Sequence, residues 1–219
     1  KPVTFADFTI NGGDASNYIL TQPRGFTANI TSAPLTITGI TAENKTYNGT
    51  TAAKLNTGNS RLVGVIVGDN VILNKSNAKG TFNSKSVGTT KPVAISGFTI
   101  NGADQGNYTL TQPTGLTASI TRKPLNITGT TAYNKPYDRN TTARVNVNNS
   151  RLSTTDKIAS DNVILNKNNV RGTFINSAIG NNKRVFISGF TITGADAPNY
   201  TLIQPTNVYA NITGRSRAR

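Results

Sequence analysis

The sequence predicts an all-β fold, arranged as tandem small β-sandwich-like modules in an elongated array. Composition is the first reason: only 35% of the 219 residues are apolar, and the chain is rich in Asn, Thr and Gly, which are weak helix formers. Patterning is the second, because short apolar/polar alternations bounded by Gly, Pro or Asn occur throughout, with no sustained 3.6-residue apolar stripe. The length is the third, since 219 residues exceed one usual domain.

Internal repetition sets the organisation of the chain. Three blocks recur, namely 34–45 at 124–135, 69–84 at 161–176, and 96–121 at both 188–213 and 7–31. The shift is 90 residues for the first block and 92 for the second. The two extra residues fall between Leu152 and Asp161, where we expect a loop or strand connection that tolerates insertion.

The period divides the chain into four parts. Residues 1–31 correspond to the C-terminal part of a preceding repeat, 32–121 and 122–213 to complete β repeats, and 214–219 to a basic tail. The stretch is therefore interpreted as a window from a longer array. Junctions are expected near Thr31–Pro34 and Thr121–Pro124, because proline there blocks further ladder pairing.

Six or seven strands are expected in each repeat of about 90 residues, a density typical of a small sandwich. In the first complete repeat the alternating apolar sets are Leu35/Ile37, Val71/Leu73, Val93/Ile95, Phe98/Ile100, Tyr108/Leu110 and Leu116/Ala118/Ile120. By the same pattern, strands are expected at Phe8–Ile10, Tyr18–Thr21 and Phe26–Ile30. Their apolar face needs cover from the following repeat or from a second copy of the chain, so self-association through residues 1–31 is one expected interaction.

Two sequence motifs carry a family resemblance. The first reads Tyr47-Asn48-Gly49-Thr50-Thr51-Ala52, and the second is the stretch Gly-Ala-Asp-x-x-Asn-Tyr-x-Leu at 102–110. In type and separation they resemble the YDG-type repeat of large bacterial surface adhesin or haemagglutinin-like proteins. The second repeat departs at Arg139, which replaces the glycine and puts the geometry of that turn in doubt. The resemblance implies extracellular tandem modules at the bacterial cell surface, with no assigned active site.

The motif residues are interpreted as structural. Asp and Asn side chains should cap backbone N–H groups in tight turns, and each Tyr should anchor the following strand through its ring and hydroxyl. The set is Tyr47, Gly49, Tyr137, Asp138, Asp104, Asn107, Tyr108, Asp196, Asn199 and Tyr200. Asp69 and Asp161 are likewise expected to be turn residues. A calcium site at Asp14, Asp104 or Asp196 is the alternative, although the whole chain has only nine acidic residues with which to build one.

Residue types argue against an enzyme. Cys and His are absent, which removes disulfides, thiolate metal sites and the usual general base. The acidic positions recur once per repeat, as a structural requirement would, so neither catalysis nor a cofactor is expected. One covalent alternative is a Lys–Asn isopeptide crosslink through Lys45 and Lys135 or through Lys75 and Lys167.

The net charge of +14 is the extreme of the composition. Basic residues are scattered singly, without a basic helix or aromatic platform, so the favoured function is a structural stalk or adhesin module whose partners are neighbouring repeats. The alternative is a module that binds a host or matrix glycan or another polyanion through its basic surface. No run of about 18 apolar residues occurs, so no membrane insertion is expected in this segment.

Overall fold

The computed structural model describes residues 1–6 and 8–214. Within them it contains 26 strands and three short 3-10 helices, and no α-helix. The predicted class, an all-β array of tandem modules, is confirmed. None of the helices in the described part is long and apolar enough to cross a membrane.

Each complete repeat contains twelve strands, and strand n of the first corresponds to strand n + 12 of the second. The N-terminal segment contains β1 (Pro2–Val3) and β2 (Phe26–Thr27). The first complete repeat contains β3 (Ala33–Thr38), β4 (Thr41–Ala42), β5 (Lys45–Thr46), β6 (Ala52–Ala53), β7 (Leu55–Asn56), β8 (Arg61–Val63), β9 (Ile72–Asn74), β10 (Lys79–Phe82), β11 (Gly88–Ser96), β12 (Thr99–Asn101), β13 (Tyr108–Leu110) and β14 (Thr117–Thr121). The second contains β15 (Lys123–Thr128), β16 (Thr131–Ala132), β17 (Lys135–Pro136), β18 (Thr142–Ala143), β19 (Val145–Asn146), β20 (Arg151–Leu152), β21 (Ile164–Asn166), β22 (Arg171–Phe174), β23 (Gly180–Ser188), β24 (Thr191–Thr193), β25 (Tyr200–Ile203) and β26 (Tyr209–Thr213). The 3-10 helices are Ala15–Asn17, Gln105–Asn107 and Ala197–Asn199.

The two repeats share one topology. In the first, a five-stranded sheet has the order β5-β14-β11-β10-β6, and a three-stranded sheet has the order β13-β3-β8. Two pairs, β9 with β12 and β4 with β7, complete the module. The second repeat has the corresponding sheets β17-β26-β23-β22-β18 and β20-β15-β25. Most pairings are antiparallel, but β3 with β13 and β5 with β14 are parallel, so the start of each repeat is closed by its end.

Twelve strands replace the six or seven expected because, after its six-residue first strand, the front half of each repeat forms pieces of only two or three residues. The predicted role of proline at the junctions is wrong. Pro34 pairs with Thr109 inside β3, and Pro124 pairs with Thr201 inside β15. Proline is tolerated because β3 is paired on one side only at that point, its other ladder beginning at Thr36.

The alternating apolar residues pack inward as predicted. Leu35 and Ile37 are buried on β3, Val93 and Ile95 on β11, and Ala118 and Ile120 on β14. The two-residue insertion lies in a loop, where the Asp156 carboxylate accepts hydrogen bonds from the Asn126 backbone N–H at 3.2 Å and side-chain amide at 2.9 Å. The insertion is thereby attached to β15 without disturbing the sheet.

Residues 1–31 differ from their copies. Among residues 1–6 and 8–31 only β1 and β2 form, in the register Pro2↔Thr27 that corresponds to Pro92↔Thr117. The strands predicted at 8–10 and 18–21 are absent from the described residues. The reason is pairing. Thr99–Asn101 pairs with β9 and Tyr108–Leu110 pairs with β3, and residues 1–31 contain no counterpart of β9 or β3. Large apolar side chains consequently remain exposed there, among them Phe8, Tyr18 and Ile19. Self-association through this segment stays a prediction.

Candidate functional site at the repeat junction

The motif that begins at Lys45 forms a turn organised around the lysine ammonium group. Lys45 Nζ donates to Asn48 Oδ1 at 2.9 Å, to the Thr50 carbonyl at 2.7 Å and to the Ala52 carbonyl at 2.9 Å. It also lies 5.4 Å from the centre of the Phe82 ring. Burial lowers the pKa of Lys45. The lysine therefore fixes the turn that carries Tyr47.

The second repeat builds the same turn with different residues. Lys135 Nζ donates to Asp138 Oδ1 at 2.8 Å and to the Asn140 carbonyl at 2.8 Å, and it lies 5.6 Å from the Phe174 ring centre. The hydrogen bond from Lys135 lowers the pKa of Asp138. Arg139 has φ +68° where Gly49 has φ +77°. The turn geometry is thus kept despite the loss of glycine.

Tyr47 leaves its own module and docks on the next one. Its hydroxyl donates to Asp161 Oδ2 at 2.9 Å, and the Tyr200 hydroxyl donates to the same oxygen at 2.7 Å. The two rings meet edge to face, with centroids 5.6 Å apart and planes at 77°. The Ile158 backbone N–H donates to the Tyr200 hydroxyl at 3.0 Å, which fixes the orientation of that phenol. Tyr47 is 1% exposed and Asp161 4% exposed.

Lys85 of the first repeat adds a positive charge beside Tyr47, Asp161 and Tyr200. Lys85 Nζ lies 3.5 Å from Asp161 Oδ1 and 3.6 Å from Asp196 Oδ1. The second oxygen of Asp196 accepts from the Asn162 backbone N–H at 2.9 Å. Lys85 therefore bridges two carboxylates of the second repeat, and both are also held within that repeat.

Further contacts surround this group. The Val87 backbone N–H donates to Asn199 Oδ1 at 3.0 Å, and Arg122 Nε donates to the Pro198 carbonyl at 3.1 Å. A Cβ at Gly49 would lie 3.2 Å from Ile158 Cδ1, so the backbone of the motif turn approaches the second repeat closely. Underneath, one apolar cluster contains residues of both repeats, including Tyr47, Ile120, Leu125, Val163 and Tyr200. The modules share a core at the junction.

The electrostatics favour an ionised carboxylate between two neutral phenols. Burial by itself would raise the pKa of Asp161, but hydrogen bonds from Tyr200 and Tyr47, together with Lys85, hold it below its usual value. Burial and the hydrogen bond to Asp161 raise the pKa of Tyr47 and of Tyr200. The facing Tyr47, Asp196 and Asp161 raise the pKa of Lys85. At neutral pH the group is therefore a charge-assisted network.

The other predicted motif residues lie in related places. Asp104 accepts from the Asn70 backbone N–H at 2.8 Å, and Tyr108 donates its hydroxyl to Asp69. Asn107 is exposed, and Asp14 begins the first 3-10 helix without a side-chain capping bond. The predicted capping thus occurs across the module, between the turn containing Asp104 and the turn containing Asn70. Asp69 and Asp161 are more than turn residues, because each accepts a tyrosine hydroxyl.

The side chains at this site connect the two repeats. In residues 1–6 and 8–214 no group of three or more Asp or Glu side chains is placed to hold a metal ion. Lys45 contacts Asn48 through the amide oxygen, and no carboxylate of the described chain lies within hydrogen-bond distance of its Nζ. Lys45 therefore lacks the buried carboxylate that an isopeptide crosslink requires. Lys135 Nζ lies 2.9 Å from Asn140 Oδ1 and 2.8 Å from Asp138 Oδ1, but the Asp138 side chain is 41% exposed rather than buried.

Lys85 and Ile158 are junction residues that sequence reasoning missed. Lys85 has no lysine copy, since Ser177 occupies its place, so self-comparison does not single it out. The sequence did contain a signal that Asp161 and Tyr200 belong together. They are separated by 39 residues, and so are Asp69 and Tyr108 at the corresponding positions of the first repeat.

Comparison with known families identifies a domain that occurs twice. The family model described as the YDG domain matches residues 31–115 and again 121–208. No curated protein and no solved structure matches the chain. Each match contains the motif turn with its lysine and tyrosine and the aspartate and tyrosine of the acceptor side. The chain therefore belongs to the YDG domain family, of which it contains two consecutive copies.

Proposed function

We propose that this chain is a structural stalk segment of an exported bacterial surface protein, in which β modules joined end to end space or present a binding domain. The observation that carries the proposal is the docking of Tyr47 on Asp161 across the junction. The most distinctive side chain of the motif serves contact between modules.

A stalk needs modules that join in one orientation. The junction provides this because its hydrogen bonds are directional and its carboxylate is buried. A tilted or slipped arrangement would leave the Asp161 carboxylate without Tyr47 and Lys85, and an uncompensated buried charge is costly. The shared apolar cluster adds adhesion that does not depend on direction.

Two complete repeats of the same topology support a repetitive, one-dimensional arrangement. The bacterial and extracellular parts of the proposal rest on the resemblance to surface adhesin repeats alone. Antibody labelling of intact cells tests them: the epitope should be accessible without permeabilisation, and labelling only after lysis would contradict an exported protein.

Residual dipolar couplings test whether the junction is stiff. Amides of 32–121 and 122–213, measured in one aligned sample, should fit a single alignment tensor. The comparison protein carries Tyr47→Phe and Lys85→Ser, the latter being the residue at the corresponding position 177. It should show two tensors of different magnitude. Independent tensors in the unsubstituted protein would contradict the stalk function.

A further inference from the structure

The first complete repeat carries the same acceptor group as the second, already assembled. Tyr108 donates its hydroxyl to Asp69 Oδ2 as Tyr200 does to Asp161 Oδ2. The Ile66 backbone N–H donates to the Tyr108 hydroxyl at 3.0 Å, the distance found between Ile158 and Tyr200. The hydrogen bond from Tyr108 and burial raise its pKa. The frame therefore exists without a docked partner.

The two repeats differ in how far a neighbouring module buries these residues. Ile66 is 59% exposed, whereas its counterpart Ile158 is partly buried. Asn107 is exposed, whereas its counterpart Asn199 is 5% exposed. No described Lys or Arg lies within ion-pair distance of Asp69 or Asp104, while Lys85 bridges both counterparts. The surface formed by Ile66, Asp69, Asn107 and Tyr108 is here called the acceptor surface. It lacks the contacts that Tyr47 and Lys85 give the second repeat.

We propose that the acceptor surface binds the motif tyrosine of another YDG module placed immediately before it in series. The inference rests on the proposed stalk function and names its partner. Asp69 Oδ2 already receives one phenol, and its counterpart receives a second. The exposed Ile66, whose counterpart Ile158 packs in the cluster that contains Tyr47, offers the apolar contact that the second ring needs.

The second repeat carries the other side of the same interface, the tyrosine that would dock on an acceptor surface. The Tyr137 backbone N–H donates to the Thr213 carbonyl at 2.8 Å, as Tyr47 does to Thr121. Tyr137 is half-buried, and Ile179, which corresponds to the half-buried Val87, is 58% exposed. Each module therefore has one tyrosine end and one acceptor end, and such a head-to-tail interface generates an open array.

Internal duplication places the proposed partner beside the surface. Repeating residues 32–121 in tandem inside the full chain puts the tyrosine end of the first copy next to Asp69 of the second. Because the chain contains no cysteine, disulfide formation can report on single pairs. The test pair is Gly49→Cys in the first copy with Ile66→Cys in the second. The matched pair in the natural chain is Gly49→Cys with Ile158→Cys, where the Cβ approach is close.

A third pair measures random encounters. It combines Gly49→Cys with Ile72→Cys in the second copy; Ile72 is 59% exposed and its counterpart Ile164 58%, so this position lies outside the junction. The Ile66 pair should oxidise at least about tenfold faster than the Ile72 pair and at a rate similar to the Ile158 pair. Adding Tyr47→Phe to the first copy should slow the Ile66 pair several-fold, since a charge-assisted hydrogen bond is lost.

The outcomes separate the two proposals. If the Ile158 pair forms quickly but the Ile66 pair is no faster than the Ile72 pair, the acceptor surface is wrong and the stalk junction stands. If the Ile158 pair also fails, the junction itself is wrong. Rapid oxidation of the Ile66 pair that is insensitive to Tyr47→Phe overturns the role given to the tyrosine.

Discussion

The residues of the YDG motif divide two tasks. Lys45 and Asn48 hold the turn through hydrogen bonds within the module, while Tyr47 contacts the next module. A tyrosine suits the second task because its ring joins an apolar cluster and its hydroxyl reaches a buried acceptor. The motif is therefore a connector whose geometry is set locally and used at the junction.

Removing the Tyr47 hydroxyl should weaken the junction without disturbing the turn. Tyr47→Phe deletes one of the two tyrosine hydrogen bonds to the buried Asp161 carboxylate, a loss of about 1–3 kcal/mol for a bond to a charged group. The free energy of unfolding from denaturant titration measures it. Tyr137→Phe is the matched control, because within residues 1–6 and 8–214 the Tyr137 hydroxyl, unlike those of Tyr47 and Tyr200, donates no hydrogen bond to a carboxylate, and it should cost under about 0.5 kcal/mol.

A double-mutant cycle assigns the effect to the pair. Tyr47→Phe and Asp161→Asn should show a coupling of about 1 kcal/mol or more because the two groups are in direct contact. Additive effects of the two substitutions would show that the hydroxyl stabilises the protein in some other way.

The Asp161 carboxylate should make the junction sensitive to acid. Its pKa is below the usual value of about 4 in the folded chain, so its contribution is complete above pH 4 and is lost as the pH falls through the lowered pKa. The raised pKa values of Tyr47 and Tyr200 place the opposite limit above about pH 10. The difference in unfolding free energy between the natural chain and Asp161→Asn should be flat between these limits and shrink below pH 4. A difference that does not change down to pH 2 would contradict the assignment.

At the scale of elements, the sequence supported the placement of apolar strands but not their pairing. Leu35, Ile37, Val93 and Ile95 alternate with polar residues and are buried as that pattern requires. The two-residue strands have too few residues to show a period, which is why their number was underestimated. The junction was not predictable from periodicity, because Tyr47 and Asp161 meet across 114 positions and nothing local marks either as an intermodule contact.

Tight turns between strands give a second element-scale test. Gly97 has φ +85°, and a Cβ there would lie 2.0 Å from the Asn77 carbonyl oxygen. Gly115 has φ +77° with no atom within 4 Å of such a Cβ. Gly115→Ala should cost about 1 kcal/mol for the backbone conformation, and Gly97→Ala about 1–3 kcal/mol more because of the overlap. Equal losses in thermal or denaturant unfolding would show that the turn at Asn77 yields freely.

For the whole molecule, the junction accounts for only a small part of the basic charge. The junction uses Lys85 with Asp161 and Asp196, whereas most basic side chains of the chain, which has 23 Lys and Arg against 9 Asp and Glu, are not needed for it. Within residues 1–6 and 8–214, four salt bridges form. An unpaired basic surface attracts polyanions over distances of about 10 Å at ordinary salt, so charge alone favours some affinity for them.

Heparin binding decides between a stalk and a polyanion-binding module. If the charge only serves solubility, few anionic groups are neutralised at once, and affinity should be weak with a shallow dependence on salt. Isothermal titration at several NaCl concentrations measures the slope, which should correspond to no more than about three ion contacts. Removing residues 214–219, which contribute three arginines, separates the tail from the modules. Tight binding with a slope of six or more contacts that survives removal of the tail would make polyanion binding a function of the modules themselves, and the stalk would then be only their scaffold.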